Sequence, residues 1–175
     1  MQAAQPQEIL LPVKIGFVTV TLAAALLLNL IQWGGLMRWV KPDFCALVLL
    51  YWGIHQPRRI GFAVAWLLGL AMDIADASLF GQHALAYTLL LYGAIMLHRR
   101  VLRFGVVHQV LHVLPLLLAT DLLILLLRVS AGAEFPGWRY FGASLVGAAL
   151  WAPVSFLFRI PQVPKSDPNT GVHVP

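Results

Sequence analysis

The sequence predicts an all-α, polytopic membrane protein that folds as a compact bundle of about six transmembrane helices. Three observations support this fold class. Of the 175 residues, 60% are hydrophobic and only 11% are charged, whereas soluble domains are about one quarter charged. The mean hydropathy is +0.81. Apolar runs follow one another with short loops between them, which leaves no room for a second large domain.

Six apolar runs are interpreted as helices, because a hydrocarbon core about 30 Å thick is crossed by about 20 helical residues. In chain order they are Pro12–Gln32, Asp43–His55, Ile60–Phe80, His83–His98, Phe104–Leu127 and Gly137–Phe158. Residues 1–158 therefore form one predicted membrane domain. Residues 159–175 are rich in proline and are expected to form a disordered cytoplasmic tail.

The first two segments are expected to be different kinds of membrane segment. The opening "MQAAQPQEIL" lacks the basic residues of a cleavable signal peptide, so the first segment is expected to be a retained anchor. The second is bracketed by Pro42 and Pro57, which leave only 14 residues between them. We expect a short or partly re-entrant helix whose ends are satisfied by protein rather than by lipid.

The remaining segments are longer. The third ends at the turn "SLFGQ", and the fourth ends in the basic cluster "HRRVLR". The fifth and sixth contain Pro115 and Pro153, which are expected to kink their helices. Residues Ala143 and Gly147 in the sixth are spaced for close helix packing.

The distribution of Lys and Arg predicts the orientation. With a cytoplasmic N-terminus and six crossings, eight basic residues fall inside and four outside. The inner set is Lys14, Arg58, Arg59, Arg99, Arg100, Arg103, Arg159 and Lys165, and the outer set is Arg38, Lys41, Arg128 and Arg139. The positive-inside rule then places both termini in the cytoplasm. The net charge of +5 is explained by this topology and not by a nucleic-acid partner.

Two carboxylates interrupt the third segment, in "GLAMDIADASLFGQHAL". By helical rise, Asp73 is expected about 10 Å and Asp76 about 6 Å below the outer end of that helix. Residues three apart share a helix face. Because two like charges would meet in a poor dielectric, at least one carboxyl is predicted to be protonated or paired with a cation.

The same helix carries Gly61, Ala65, Gly69 and Asp73 at steps of four, a stripe that allows another backbone to come close. Asp43 and His83 open neighbouring segments at a similar depth. We expect the outer-half cluster of Asp43, Asp73, Asp76 and His83 to organise the bundle and to present a face or cavity to a partner transmembrane helix. Asp121 also lies in the outer half, with Arg128 as a predicted internal partner.

Other chemical interpretations are weaker. His108 and His112 share a helix face but lack an HExxH pattern, so they are interpreted as structural residues and no metal or cofactor is expected. The two aspartates lie on one helix without a GxGD motif, which argues against an intramembrane aspartyl protease. A small-molecule cavity coupled to a separate energising subunit stays open as an alternative.

Two stretches carry a more specific likeness: "RWVKPDFCALVLLYWGIHQPRRIGF" and "AWLLGLAMDIADASLFGQHALAY". With Trp39, Pro42–Phe44, Tyr51–Trp52 and Gly81–Ala84, they resemble the MreD family of bacterial rod shape-determining membrane proteins. The resemblance implies a non-enzymatic scaffold of the complex that builds lateral peptidoglycan, without catalytic residues. The implied partners are membrane lipid, an MreC-like periplasmic coiled-coil protein, MreB, a SEDS glycosyltransferase and a class B penicillin-binding protein. The implied fold is similar to that of substrate-binding subunits of energy-coupled vitamin transporters.

Overall fold

The computed structural model describes residues 14–31, 34–35 and 40–159. Within these residues every regular element is helical and no strand occurs. The helices are α1 (Ile15–Leu30), α2 (Phe44–His55), α3 (Phe62–Ala75), α4 (Gln82–Val101), α5 (Val106–Ser130) and α6 (Gly142–Arg159), with a 3₁₀ helix at Trp138–Phe141 before α6. The all-α prediction is confirmed. The predicted cytoplasmic tail and the sequence features at Pro12, Arg38 and Trp39 lie outside the described residues.

Successive helices run in opposite directions, so their ends collect at two ends of the bundle. Hydrogen bonds join the end of α1 to the start of α2 and the start of α2 to α4. We call this the acidic end, because Asp43, Asp73, Asp76, Asp121 and Glu134 all lie toward it. The other end, here the basic end, carries seven of the described cations and none of the described acids: Lys14, Arg58, Arg59, Arg99, Arg100, Arg103 and Arg159.

Helix α2 lies at the centre of the bundle. Every residue from Cys45 to Ile54 is buried. Trp52 donates a hydrogen bond from Nε1 to the Thr21 hydroxyl of α1, 2.9 Å away. A Cβ on Gly53 would lie 2.8 Å from the Ala94 side chain of α4, so these two helices cross closely. A helix of 12 residues, about 18 Å long, is thus enclosed by protein on all sides.

Within the described ranges, two stretches are long and apolar enough to cross a membrane, Val106–Ser130 and Trp138–Arg159. Helices α1, α2 and α3 are equally apolar but shorter, at 16, 12 and 14 residues. The count of six crossings therefore stays a prediction.

One boundary differs from the prediction in a way that matters for the site. The third helix was expected to continue to Phe80, but α3 ends at Ala75 and Asp76 is its C-cap. Ala77 then adopts a left-handed backbone with φ of 47°. The chain turns because Ser78 donates its N–H to the Asp73 carbonyl at 3.0 Å. The expected depths of 10 and 6 Å are therefore wrong: Asp73 lies in the last helical turn and Asp76 lies just beyond it.

Candidate functional site at the acidic end

Asp73 joins the end of α3 to the start of α4. Its side chain is buried, and its Oδ2 accepts a hydrogen bond from the Gly81 N–H at 2.8 Å. Its Oδ1 accepts from the His83 N–H at 2.9 Å and lies 2.8 Å from the His83 imidazole Nδ1. Ser78 adds a hydroxyl at 3.2 Å. Helix α4 begins after Gly81, which has no side chain to cap it, so Asp73 supplies the cap from another helix.

The close approach of α3 and α4 depends on Gly69, one turn before Asp73. A Cβ on Gly69 would lie 2.3 Å from the Ala84 Cα, a distance that only backbone movement would relieve. Ala65 is fully buried one turn earlier. Gly61, in contrast, precedes the helix as its N-cap and faces open space. The close helix contact expected along the whole stripe is therefore confined to its half nearest Asp73.

We call the hydrogen bonds around Asp73 and those around Asp43 the two polar knots, and the second of these joins α1, α2 and α4. The Asp43 Oδ1 caps α2 by accepting the Ala46 N–H at 3.0 Å and also accepts the Asn29 amide at 2.8 Å. Its Oδ2 accepts the Tyr87 hydroxyl at 2.7 Å. The Asn29 side-chain oxygen Oδ1 in turn accepts a hydrogen bond from the Phe44 N–H at 3.0 Å. Asp43 therefore links one residue from each of three helices.

Sequence reasoning missed Asn29 and Tyr87, both of which are buried. Asn29 had a signal, because an amide inside an apolar run needs a partner in the bundle. The sequence gives no such signal for Tyr87, since its partner Asp43 lies 44 residues away along the chain. Lys41 was assigned only to topology, yet its ammonium donates to the carbonyl of Asn29.

Asp76 and His83 lie at the surface of this region. The Asp76 side chain is 50% exposed, and its Oδ2 lies 4.0 Å from His83 Nε2. The same imidazole contacts Asp73 through its other nitrogen. His83 thus stands between the two carboxylates. The protonation state of the pair stays a prediction, but the two acids occupy different environments, one buried and bonded and the other half in solvent.

Asp121 does not pair with Arg128 in the structure. It accepts a hydrogen bond from the Ser144 hydroxyl and so joins α5 to α6. Arg128, in the last turn of α5, is exposed and lines a cavity instead. The predicted ion pair inside α5 is therefore wrong, because a short hydroxyl on the neighbouring helix lies closer.

Two adjoining cavities open at the acidic end. The larger, of about 540 Å³, lies between the α3–α4 turn and the end of α5. Its polar lining consists of Asp76, Ser78, Gln82, His83, Arg128 and Tyr140. A second cavity of about 160 Å³ shares Asp76, His83 and Tyr140 and also reaches Asn29, Asp43 and Asp121. The larger volume falls within the range of small-molecule sites.

The contacts of Asp73 join α3 to α4. The oxygens of Asp73 are occupied by backbone and side-chain partners, which leaves this carboxylate poorly placed to take a proton from a substrate. No group of three or more metal-ligating side chains occurs among the residues that the structure describes. The site is a set of interhelical hydrogen bonds with a polar cavity beside them.

Comparison with known proteins gives a consistent result. The family model described as "rod shape-determining protein MreD" matches residues 9–160. The chain is also similar to the rod shape-determining protein MreD of Haemophilus influenzae, with 29% identity over 135 residues, which cover 77% of this chain and 83% of the relative. No solved structure matches the chain significantly.

Proposed function

The chain belongs to the MreD family of rod shape-determining proteins, and on this premise we propose that it is a non-enzymatic inner-membrane scaffold of the cell-wall elongation complex. In this role it docks the transmembrane helices of partner proteins and thereby regulates lateral peptidoglycan synthesis. The proposed partners are an MreC-like periplasmic coiled-coil protein and, through it, MreB, a SEDS glycosyltransferase and a class B penicillin-binding protein.

One observation carries the docking proposal: helices joined by short loops expose many large apolar side chains. Large exposed hydrophobic side chains occur on α1, α3 and α5, for example Leu27, Leu67 and Leu111, each more than 60% exposed. A bundle of this kind offers partners a helix face in the membrane rather than an aqueous domain. The polar knots at Asp43 and Asp73 support the role, because they join α1 and α3, two of the helices that present those faces, to α4.

The basic and acidic ends support an orientation. Seven described cations and no described acid lie at the basic end, so we place this end in the cytoplasm. This orientation corresponds to cytoplasmic N- and C-termini, and it leaves the polar cavities on the periplasmic side.

The experiment is depletion of the protein in its source cell, followed by rescue with a full-length affinity-tagged copy. We expect depleted cells to lose rod shape and to become round, and the tagged copy to restore the shape. After mild solubilisation, the coiled-coil partner should co-purify with the tagged protein. Cells that stay rod-shaped on depletion, or a functional tagged copy that brings down no elongation-complex protein, would contradict the scaffold.

A second function is favoured by the larger cavity alone. A cavity of about 540 Å³ at one end of a small helical bundle also suits the small-molecule-binding subunit of an energy-coupled transporter. The depletion experiment separates the two functions, because a transport subunit would be needed for uptake of a nutrient and not for cell shape.

A further inference from the structure

The larger cavity is lined by polar groups that the bundle itself does not use. The carboxylates of Asp43 and Asp73 already accept hydrogen bonds that join helices, and Asp121 accepts a hydrogen bond from the Ser144 hydroxyl. Asp76, Gln82 and Arg128 line the cavity, and they differ: the Asp76 carboxylate has only a 4.0 Å contact with His83, and the Gln82 carbonyl oxygen and the Arg128 guanidinium form no hydrogen bond or ion pair with the described residues. The cavity wall therefore has free binding capacity.

Gln82 is the most informative of the three. Its side chain is only 2% exposed, yet its amide oxygen Oε1 has no hydrogen-bond partner among the residues that the structure describes. The other end of the amide, Nε2, lies 3.4 Å from the His83 ring. Buried carbonyl oxygens in proteins are almost always paired. Gln82 therefore lines the cavity with an amide whose hydrogen-bonding capacity is only partly used by the described residues.

The charges of the lining indicate which class of ligand fits the cavity. Asp76 lies on the α3–α4 turn and Arg128 in the last turns of α5, and the two form no ion pair with each other. A purely cationic ligand would be attracted by Asp76 but repelled by the Arg128 guanidinium. A purely anionic ligand would be attracted by Arg128 but repelled by Asp76. A ligand that carries both charges satisfies both walls.

We propose that this cavity binds a small zwitterion. Its ammonium lies beside Asp76 and its phosphate or carboxylate lies beside Arg128, and the Gln82 amide turns toward the cavity to accept a hydrogen bond from one of its N–H groups. The phosphoethanolamine headgroup of a lipid and a short soluble peptide both have this chemistry. The inference goes beyond the scaffold function, because the site needs no partner protein.

The test uses the full-length protein in nanodiscs of phosphatidylglycerol, a lipid without an ammonium group. Glycerophosphoethanolamine and alanyl-alanine are titrated separately by calorimetry, each beside its N-acetylated form. We expect saturable binding of at least one zwitterion and a loss of that binding when the ammonium is acetylated. If phosphatidylethanolamine in the nanodisc then abolishes binding of the soluble probe, the source is the lipid headgroup; if it does not, the source is a soluble zwitterion.

Variants locate the site. Asp76→Asn and Arg128→Gln should each weaken binding at least about tenfold, because each removes a charge-assisted contact. Glu134→Gln and Arg139→Gln remove the same charges at the same end but outside the cavity lining, and they should bind as the parent protein does. Gln82→Leu should also weaken binding, and far-ultraviolet circular dichroism establishes whether it folds. Absence of saturable binding, equal binding of the acetylated probes, or equal effects of the cavity and control variants would overturn the proposal.

Discussion

At the scale of single residues, the two carboxylates of "MDIAD" have separate tasks although they are only three positions apart. Asp73 is buried and caps α4, whereas the Asp76 side chain is 50% exposed and faces the cavity. A helix start needs acceptors for N–H groups that have no partner within the helix. Asp73 provides them where Gly81 cannot, so its carboxylate is fixed by the fold while that of Asp76 is available to a ligand.

We predict that Asp73→Asn lowers the free energy of unfolding by about 1–3 kcal/mol, the range for lost hydrogen bonds to a charged acceptor. The Asn carbonyl oxygen can still accept a hydrogen bond from one of the two backbone N–H groups, of Gly81 or His83. The Asn NH₂ group then lies against the other N–H, and two donors cannot form a hydrogen bond. The measurement is reversible unfolding in mixed detergent micelles followed by circular dichroism. Asp76→Asn is the matched control, and it should change the unfolding free energy by less than about 0.5 kcal/mol. Equal losses in both variants would show that Asp73 is not the cap.

At the scale of elements, the α3–α4 hairpin is held by a contact that only glycine permits. The backbones meet where Gly69 passes Ala84, directly below the Asp73 cap. The two features depend on each other: the carboxylate reaches the Gly81 and His83 amides only because the helices approach this closely. The hairpin is therefore a single structural unit, from Gly69 to Ala84.

We predict that Gly69→Ala destabilises the protein by about 1–3 kcal/mol, the usual cost of overpacking. The added methyl would meet the backbone of Ala84 at 2.3 Å, so the helices must separate. Gly61→Ala, at the N-cap of the same helix, is the control, because its methyl would enter open space, and the loss of a favourable N-cap residue should cost less than about 1 kcal/mol. Thermal unfolding of the purified variants makes the comparison. A Gly69→Ala protein as stable as Gly61→Ala would contradict the tight crossing.

The element boundaries also show what the sequence could predict. Hydropathy placed all six helices, because apolar runs and short loops are properties of continuous segments. Hydropathy extended the third helix beyond its observed end, since residues 74–80 contain neither Gly nor Pro and have the pattern of a helix. The break comes from hydrogen bonds between Asp73 and residues up to ten positions ahead. The Asp43 contacts to Asn29 and Tyr87 join separate helices, and periodicity within one segment carries no information about such contacts.

At the scale of the whole molecule, the ends of the bundle differ in charge and in structure. The basic end lacks described acids and ends in short loops, whereas the acidic end holds both polar knots and both cavities. Helices that alternate in direction bring residues far apart in sequence to the same end. This difference is the basis of the proposed orientation, because cationic loops of membrane proteins are retained in the cytoplasm.

The orientation predicts which loops are reached from outside the inner membrane. Cys45 is the single cysteine and is fully buried, so Cys45→Ala gives a thiol-free background. Ala77→Cys and Ala133→Cys at the acidic end should react with a membrane-impermeant maleimide in intact spheroplasts, since both positions are exposed. Arg59→Cys and Arg103→Cys at the basic end are equally exposed controls, and they should react only after the membrane is permeabilised. The reverse labelling pattern would place the cavities in the cytoplasm and would remove the periplasmic zwitterions from consideration as ligands.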